Sequence, residues 1–353
     1  MVLVVLLHGT KIFIKNNMRI LVTGVAGYIG SHTTVELQAA GHTVIGIDNF
    51  VNSSREILPR IEKISGVPVK FYEGDIRDEK LLDEIFVVEK IDAVIHFAAL
   101  KAVAESFDCR DEYYAVNVEG TRTLCNVMER HNVTRLVYSS SAAVYGPAES
   151  DLLSETFALK PTNPYGETKI ACEELLRERA EKNPVWSIVL LRYFNPVGAH
   201  ASALIGEFPK SPANIAPIIM EVLRGVRPAI TINGTDYSTP DGTCIRDYIH
   251  VVDLALAHLA ALDWTAANTG VKLYNVGTGR GCSVKEIITA FEAASGRMIP
   301  AQYGPRRAGD VAVVVADPAL INAELGWRAA RSLKDIAESS VAWITKNPRG
   351  FEN

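Results

Sequence analysis

Two patterns of apolar residues alternate along the first half of the chain, from Arg19 to about residue 193. Short continuous apolar runs such as "RILVTG", "HTVIGID" and "DAVIHFAA" recur, and stretches with helical spacing such as "EKLLDEIFVVEK" lie between them. Apolar strands separated by helices are typical of a parallel sheet covered on both faces. The pattern therefore predicts an α/β fold built on a doubly wound parallel sheet, with one long helix over residues 112–131.

Beyond residue 193 strands and helices are more mixed. Strands are predicted in "AITING" and "KLYNVGTG", and helices in "SVKEIITAFEAAS" and "SLKDIAESSVAWITK". A chain of 353 residues exceeds the size at which one core keeps growing. We therefore expect a nucleotide-binding domain over 18–192, and a smaller substrate domain mainly over 193–345 with segments that return to the large sheet.

The first 17 residues do not fit this pattern. Their apolar run "VLVVLL" is too short to span a bilayer, and it lacks a basic segment before it and a small-residue cleavage site after it. Because Met18 opens the first well-patterned strand, we interpret residues 1–17 as an N-terminal extension outside the fold.

Composition excludes several classes of protein. The net charge of −5, without a long run of Lys or Arg, argues against nucleic acid as a partner, and no segment is typical of a membrane protein. Five scattered cysteines without a CxxC motif indicate reduced thiols and a cytoplasmic location. The eight histidines form no HxH or HExxH motif, so no metal site is expected.

A glycine-rich turn, "TGVAGYIG", joins the first strand to the first helix. Gly24, Gly27 and Gly30 allow a tight turn and close approach to a pyrophosphate, although a turn required only for packing could have the same glycines. Asp48 ends the next strand, where a carboxylate would accept bonds from the ribose hydroxyls of adenosine and repel a 2′-phosphate. This favours NAD over NADP. Asp75 ends the third strand and suits either an adenine contact or the N-cap of the next helix.

The segment "NPYGETK" places Tyr165 four residues before Lys169, behind a proline that can open a helix. The two side chains would share one helix face, where their stems could simply pack together. An ammonium close to a phenol also lowers the pKa of the phenol, which favours a chemical role. A strand ending in "VYSSSAAVYG" brings Ser139, Ser140 and Ser141 to the carboxyl edge of the sheet, where such folds bind ligands.

This combination resembles the extended branch of the short-chain dehydrogenase/reductase superfamily. The resemblance implies that Tyr165 is the acid/base at a substrate hydroxyl. It also implies that Lys169 lowers the pKa of Tyr165 and holds the nicotinamide ribose, while Ser141 hydrogen-bonds the same substrate hydroxyl.

Six blocks in order, "VIHFAALKAVAES", "VYSSSAAVYG", "PTNPYGETK", "LRYFNPVGAH", "DGTCIRDYIHV" and "RRAGDVAVVVADP", resemble the UDP-glucose 4-epimerase family over residues 18 to about 345. The resemblance implies an NAD site formed by Gly24, Gly27, Tyr28, Ile29, Gly30, Asp48, Asn49, Asn52, Ser53, Asp75, Ile76, Phe97, Ala98, Lys101, Asn117, Ser139, Tyr165, Lys169 and Tyr193. It implies a UDP-hexose site formed by Lys101, Ser141, Tyr165, Asn195, Asn214, Arg246, Arg307, Asp310 and Val314.

The implied reaction interconverts UDP-galactose and UDP-glucose. The carbinol carbon has no neighbouring carbonyl, so transient oxidation to a 4-keto sugar is expected, with NAD tightly bound and regenerated in each turnover. The diphosphate should be anchored firmly by Arg246 and Arg307, and the hexose pocket should be loose enough for the ketone to turn over. Taken alone, each arginine could equally form a surface ion pair.

One position departs from the family pattern. The family often has a bulky tyrosine four residues after the aspartate that aligns with Asp310, and this chain has Val314 there. The smaller side chain would leave room for a 2-acetamido group, so UDP-N-acetylhexosamines become candidate substrates. A valine that serves only the strand core is the alternative.

Two other functions are alternatives to the epimerase interpretation. A nucleotide-sugar 4,6-dehydratase would need an acidic pair just after the strand-end serine, where this chain has Ala142 and Ala143. A non-catalytic NAD-binding protein would not need Ser141, Tyr165 and Lys169 together.

The helices near 103–131 and 164–182 match the family's usual homodimer contact, so the resemblance implies a homodimer. Core burial would give the same apolar stripes.

Overall fold

The computed structural model describes residues 4–7, 10–13, 17–147, 150, 152–307 and 310–352. Strands β1 (Val4–Leu7) and β2 (Thr10–Phe13) pair with each other, antiparallel, in a two-stranded sheet of their own. The predicted extension over residues 1–17 lies partly outside the described residues, and its exclusion from the fold stays a prediction.

The large sheet contains seven parallel strands. In spatial order they are β12 (Gly270–Val276), β8 (Ser187–Tyr193), β7 (Arg135–Ser141), β6 (Ala93–His96), β3 (Arg19–Thr23), β4 (Thr43–Asp48) and β5 (Lys70–Glu73). The predicted parallel sheet is confirmed, and the strand reversal beside β3 creates the crevice in which doubly wound folds bind ligands. The predicted strand "KLYNVGTG" is β12 and forms the edge of this sheet next to β8.

Helices cover both faces of the large sheet. The apolar side chains of α3 (Glu79–Glu89), α6 (Gly120–Arg130) and α7 (Pro164–Lys182) pack into one core cluster. Those of α1 (Tyr28–Ala39), α9 (Val251–Ala267) and α11 (Ala319–Leu325) pack into the cluster on the opposite face. Burial of these faces removes apolar surface from water, which is the main stabilising contribution to such a fold.

The predicted long helix over 112–131 is interrupted. Helices α4 (Val103–Asp108) and α5 (Arg110–Tyr113) lead into a π-helical turn, Tyr114–Glu119, before α6 begins. The amide of Asn117 in this turn bonds the backbone of Leu100 and the hydroxyl of Thr168 on α7. Such π turns are frequent at functional sites, and here the turn carries a predicted NAD contact.

The remaining elements form a smaller unit beside the carboxyl edge of the sheet. One group of strands comprises β9 (Asn195–Val197), β11 (Ile245–His250), β13 (Gly281–Ser283) and β15 (Val313–Val314), with β10 (Ile230–Asn233) and β14 (Ala301–Gly304) as a separate parallel pair. Helices α8 (Ile215–Leu223), α10 (Val284–Ser295) and α12 (Leu333–Lys346) share a third core, and α2 (Ile57–Ser65) packs near α1. Within the described ranges, none of the helices combines the length and apolar character needed to cross a bilayer.

Candidate active site

The residues at the start of α7, the helix that carries Tyr165 and Lys169, favour helix formation there. The side chain of Asn163 accepts a hydrogen bond of 2.8 Å from the Gly166 amide, and Pro164 occupies the first turn, where its missing amide proton costs nothing. Tyr165 is 7% exposed and Lys169 3% exposed. The helix therefore presents both side chains, one turn apart, against the end of the sheet.

The end of β7 contacts both side chains. The Ser141 hydroxyl hydrogen-bonds the Tyr165 phenol. The Lys169 ammonium donates a bond of 2.7 Å to the Ser139 carbonyl oxygen. The hydroxyl of Tyr193, at the end of β8, hydrogen-bonds Ser139. Thus the three predicted catalytic residues and two predicted cofactor contacts converge at one edge of the sheet.

Burial dominates the acid–base behaviour of the pair. Burial raises the pKa of Tyr165 to about 12, against the opposing effect of the Ser141 hydrogen bond. Burial also lowers the pKa of Lys169 to about 8. Burial therefore outweighs any lowering of the phenol pKa by Lys169.

The glycine turn is built for close packing and for an anion. Gly24 has φ +72°, and a Cβ there would lie 2.9 Å from the Ala98 nitrogen, while a Cβ at Gly30 would lie 2.2 Å from the Gly24 carbonyl oxygen. A Cβ at Gly27 would meet only that same carbonyl oxygen, at 3.1 Å. Helix α1 begins at Tyr28 and continues through Ile29 without a side-chain cap or an acidic residue in its first turn. These amides suit a pyrophosphate, so the turn fits NAD.

Asp48, at the end of β4, is held by three hydrogen bonds. Its carboxylate accepts from the Ala26 amide (3.0 Å), the Phe50 amide (2.9 Å) and the Ser53 hydroxyl (2.8 Å). Asp48 is only 8% exposed. The carboxylate is thus fixed beside the glycine turn, as the preference for NAD requires.

Asp75 lies beside Asn49, whose amide donates to its carboxylate at 3.0 Å. An ion pair with Arg77 lowers the pKa of Asp75. The N-cap of α3 is Asp78, which accepts a bond of 3.1 Å from the Leu81 amide. The N-cap alternative for Asp75 is therefore wrong.

Several other predicted cofactor contacts follow β6. The ring of Phe97 lies 4.7 Å from that of His258, and the Ala98 amide donates to the Thr23 hydroxyl at 3.2 Å. Asn117 is 1% exposed, and its amide group bonds the Leu100 backbone at 2.8 and 3.0 Å. Asn117 thereby fixes the loop that carries these residues.

Two predicted cofactor contacts lie elsewhere. Asn52 is exposed in the loop after β4. Ile76 is 4% exposed and packs beneath Gly120, where an added Cβ would lie 2.6 Å from its Cδ1 atom. Both residues stay predictions as NAD contacts.

The predicted substrate residues cluster around β11. Arg246 forms an ion pair of 2.9 Å with Asp310 and lies opposite Val314 in the register of β11 and β15. The Asn195 amide donates to the Asp247 carbonyl oxygen at 3.0 Å. Asn214 occupies the N-cap position of α8 without making a side-chain cap bond. The structure thus brings Arg246, Asp310 and Val314 together, and Asn195 contacts the residue of β11 that follows Arg246.

Two polar residues that the sequence analysis did not select contact this site. When the Asn233 amide is oriented with its oxygen towards Arg307, that oxygen accepts from Arg307 Nε at 3.0 Å and Nη2 at 3.2 Å. Glu207 is 5% exposed, and its carboxylate lies 3.6 Å from the Lys101 ammonium. Neither residue lies in a recognisable motif, so only the contact with a predicted residue could identify it.

Comparison with known proteins identifies the family. A family model described as "NAD dependent epimerase/dehydratase family" matches residues 20–277, which include the glycine turn, the strand-end serines and the Tyr165–Lys169 helix. The chain belongs to the NAD dependent epimerase/dehydratase family.

Members of this family match almost the whole chain. The UDP-glucose 4-epimerase of Bacillus subtilis is 47% identical over 95% of this chain and 99% of its own. The crystal structure of the Bifidobacterium longum UDP-glucose 4-epimerase in complex with NAD+ and UDP is 49% identical, with a TM-score of 0.90 and coverage of 94% and 99%.

The structure of the UDP-Glc/GlcNAc 4-epimerase from Campylobacter jejuni is 37% identical, with a TM-score of 0.83 and coverage of 94% and 100%. Together these matches confirm the predicted family, the doubly wound fold and the interpretation as an NAD-dependent epimerase.

Proposed function

We propose that this protein interconverts UDP-galactose and UDP-glucose by transient oxidation at C4, with NAD as a resident cofactor and Tyr165 as the acid/base group. The observation that carries this proposal is the convergence of Tyr165, Ser141 and Lys169 at the carboxyl edge of the sheet, the edge that also carries the glycine turn. Bound NAD would supply a group that accepts a hydride and returns it.

The side chains of this site supply the proton chemistry. As a phenolate, Tyr165 takes the proton of the sugar O4 hydroxyl and later gives it back, and the Ser141 hydroxyl orients the phenol. Because burial raises the pKa of Tyr165, ionisation needs nearby positive charge. Lys169, held by the Ser139 carbonyl, supplies one such charge.

The diphosphate would be anchored by residues around β11. Arg246 is paired with Asp310 and is only partly exposed, so a diphosphate that displaced the carboxylate would find an oriented guanidinium. Arg307, oriented by Asn233, provides a second one, and the amides of Asn195 and Asn214 add neutral donors. The charged side chains would bind the nucleotide and not the sugar, so the 4-keto hexose could rotate and present its other face to the cofactor.

The pocket is also proposed to admit a 2-acetamido group. Val314 lies beside Arg246 and packs against the cluster that contains Val144, Tyr145 and Phe194, close to the end of β7. A similar protein, from Campylobacter jejuni, is named a UDP-Glc/GlcNAc 4-epimerase. This likeness supports UDP-N-acetylhexosamines as additional substrates.

A homodimer in the cytoplasm is proposed from two further observations. Helix α4 exposes Val103 (43%) and Phe107 (61%) next to α7, which leaves an apolar surface for the same helices of a second copy. All five cysteines are free thiols, which suits a reducing compartment.

Purified protein incubated with UDP-galactose and no added NAD tests the activity. We expect conversion to UDP-glucose, detected by a coupled assay, and its loss in Tyr165→Phe. A parallel reaction with UDP-N-acetylgalactosamine tests the wider specificity. Protein that is shown to hold NAD but converts neither sugar would contradict the proposal.

A further inference from the structure

A buried charge pair lies one helical turn beyond Lys169 and has no part in the chemistry described above. Glu173 on α7 and Arg192 on β8 are each 2% exposed. Arg192 Nε donates to Glu173 Oε1 at 2.8 Å, and Arg192 Nη2 donates to Glu173 Oε2 at 2.5 Å. This is a bidentate ion pair in the interior.

Glu173 completes a regular set of contacts between α7 and the end of β7. Tyr165, Lys169 and Glu173 are spaced four residues apart, so they share one face of the helix. Tyr165 contacts the Ser141 hydroxyl and Lys169 the Ser139 carbonyl. The Ser140 hydroxyl donates to Glu173 Oε1 at 2.5 Å. Three successive serines therefore meet three successive turns of the helix.

Arg192 extends this set of contacts across the sheet. Ser140, Arg192 and Asn275 are register partners on β7, β8 and β12, so their side chains lie on the same face. Arg192 Nη1 donates to the Tyr145 hydroxyl at 3.1 Å, and Tyr145 donates to the Asn275 amide oxygen at 2.6 Å. All of these residues are buried.

Such a pair is poorly explained by stability alone. Removal of two charges from water is costly, and replacing a buried ion pair by apolar residues of similar volume is often neutral or stabilising. A fully bonded polar network, in contrast, specifies one arrangement of the elements that it joins. The elements joined here are the helix of Tyr165 and the strand of Ser141.

We propose that Glu173 and Arg192 are positioning residues that fix the register between α7 and β7 and so hold the Tyr165 phenol against Ser141. This inference rests on the proposed function, because it assigns the pair to the acid/base step of that reaction. The arginines proposed to hold the UDP diphosphate, Arg246 on β11 and Arg307 after β14, lie on other elements, so we expect the pair to act on turnover and not on substrate affinity.

A double substitution tests the proposal without leaving an unpaired buried charge. Glu173→Leu/Arg192→Met removes both charges at similar volume. The control is Glu129→Leu/Arg179→Met, which removes a more exposed ion pair of 2.7 Å between α6 and α7. In the first variant we expect kcat for UDP-galactose to fall about 10- to 100-fold with KM unchanged, because small misplacement of a catalytic group costs this much. The control should retain wild-type kcat and KM.

A second readout does not depend on the sugar. Ultraviolet difference titration of each protein against its own Tyr165→Phe derivative, both as purified with resident cofactor, reports the pKa of Tyr165. The titratable groups near this tyrosine and Lys169 are Tyr138 on β7, His96 on β6, Tyr193 on β8, Tyr113 on α5, and Cys172 and Glu173 on α7. The first double variant removes the Glu173 charge that raises the pKa of Lys169, and Ser140→Ala keeps that charge and serves as the reference for this effect. We expect the pKa of Tyr165 to rise in Glu173→Leu/Arg192→Met, because the Ser141 hydrogen bond that lowers it is lost.

The two readouts separate the two proposals. A folded Glu173→Leu/Arg192→Met protein with wild-type kcat and an unchanged pKa of Tyr165 would overturn the positioning role. If this variant does not fold, Ser140→Ala removes only the link between β7 and Glu173, and a kcat equal to wild type would overturn the role equally. If wild-type protein converts no UDP-hexose, the proposed function fails, and the titration alone decides the positioning role.

Discussion

The Lys169 ammonium is bonded to the carbonyl oxygen of Ser139, at 2.7 Å, and lies 5.8 Å from the centre of the Tyr165 ring. A backbone acceptor thus holds the lysine in place, one helical turn from the phenol, in a water-poor interior. Because the lysine is bonded to Ser139 and not to the phenol, its ammonium can stay in place whether Tyr165 is protonated or ionised.

Replacement of Tyr165 by phenylalanine should remove the acid/base group and keep the fold. We expect kcat with UDP-galactose to fall about 10²- to 10⁴-fold, the usual contribution of a positioned proton-transfer group. Steady-state kinetics with equal NAD content checks this. Tyr114→Phe is the matched control, because Tyr114 bonds Glu167 on the same helix and should be dispensable. Equal losses in both variants would contradict the assignment.

Lys169→Met should inactivate the protein and stabilise it. Burial lowers the pKa of Lys169 from its usual 10.5 to about 8. Between these values the unfolded chain binds more protons than the folded protein, so the stability of wild type rises with pH over this range and the full penalty is present below pH 8.

A lowering of that size is worth about 3 kcal/mol, partly offset by loss of the bond to Ser139. We therefore expect Lys169→Met to raise the free energy of unfolding at pH 7 by about 1–2 kcal/mol. The rise of stability between pH 8 and 10 should disappear. Denaturant unfolding at several pH values, on protein freed of NAD, measures both effects without a contribution from ligand binding. A variant less stable than wild type at pH 7 would refute this view of the lysine.

Val314→Tyr should narrow the sugar pocket. We expect the variant to keep UDP-galactose turnover and to lose turnover of UDP-N-acetylgalactosamine at least about tenfold, because a bulky ring would occupy the space proposed for the acetamido group. Comparison of kcat/KM for the two sugars measures this. Val313→Tyr places the same ring on the opposite face of β15 and serves as the control. Equal use of the acetamido sugar by wild type and Val314→Tyr would retire the proposal.

Phe107→Glu should disrupt the proposed dimer. Phe107 is 61% exposed on α4, and a carboxylate buried at a two-fold contact would have to lose its hydration next to its own copy. We expect sedimentation velocity to show a monomer. Met298→Glu changes a side chain that is 82% exposed on the smaller unit and should leave the dimer intact. A wild-type protein that sediments as a monomer would contradict the interface.

Sequence patterns predicted the strands, turns and helices that are determined by residues close together in the chain. The strands of the large sheet are short apolar runs, the turn of Gly24 and Gly30 needs glycine for close packing, and α7 opens with its own cap and proline. Features that depend on distant contacts were not predictable. The π-helical turn is tied to Leu100 and α7 through one asparagine, and no periodicity reports such a bond.

Charged residues were the hardest to interpret from sequence. Glu173 lies in "CEELLRER", which reads as an exposed helix face, and its partner Arg192 belongs to a different element. Only the fold brings the two together in the interior. The phenol pKa is a similar case, because the sequence pairs a tyrosine with a lysine but does not show how deeply both are buried.

The pairing of β12 with β8 affects how the chain folds during synthesis and whether it can be cut into two separate fragments. A strand made after residue 269 completes a sheet that begins at residue 19, and it lies in register with every residue of β8. A ribosome must therefore release most of the chain before the sheet can close. A gene split after residue 193 would yield a first half with a bare, apolar strand edge, which invites aggregation. In the full chain, β12 covers this edge along the whole length of β8.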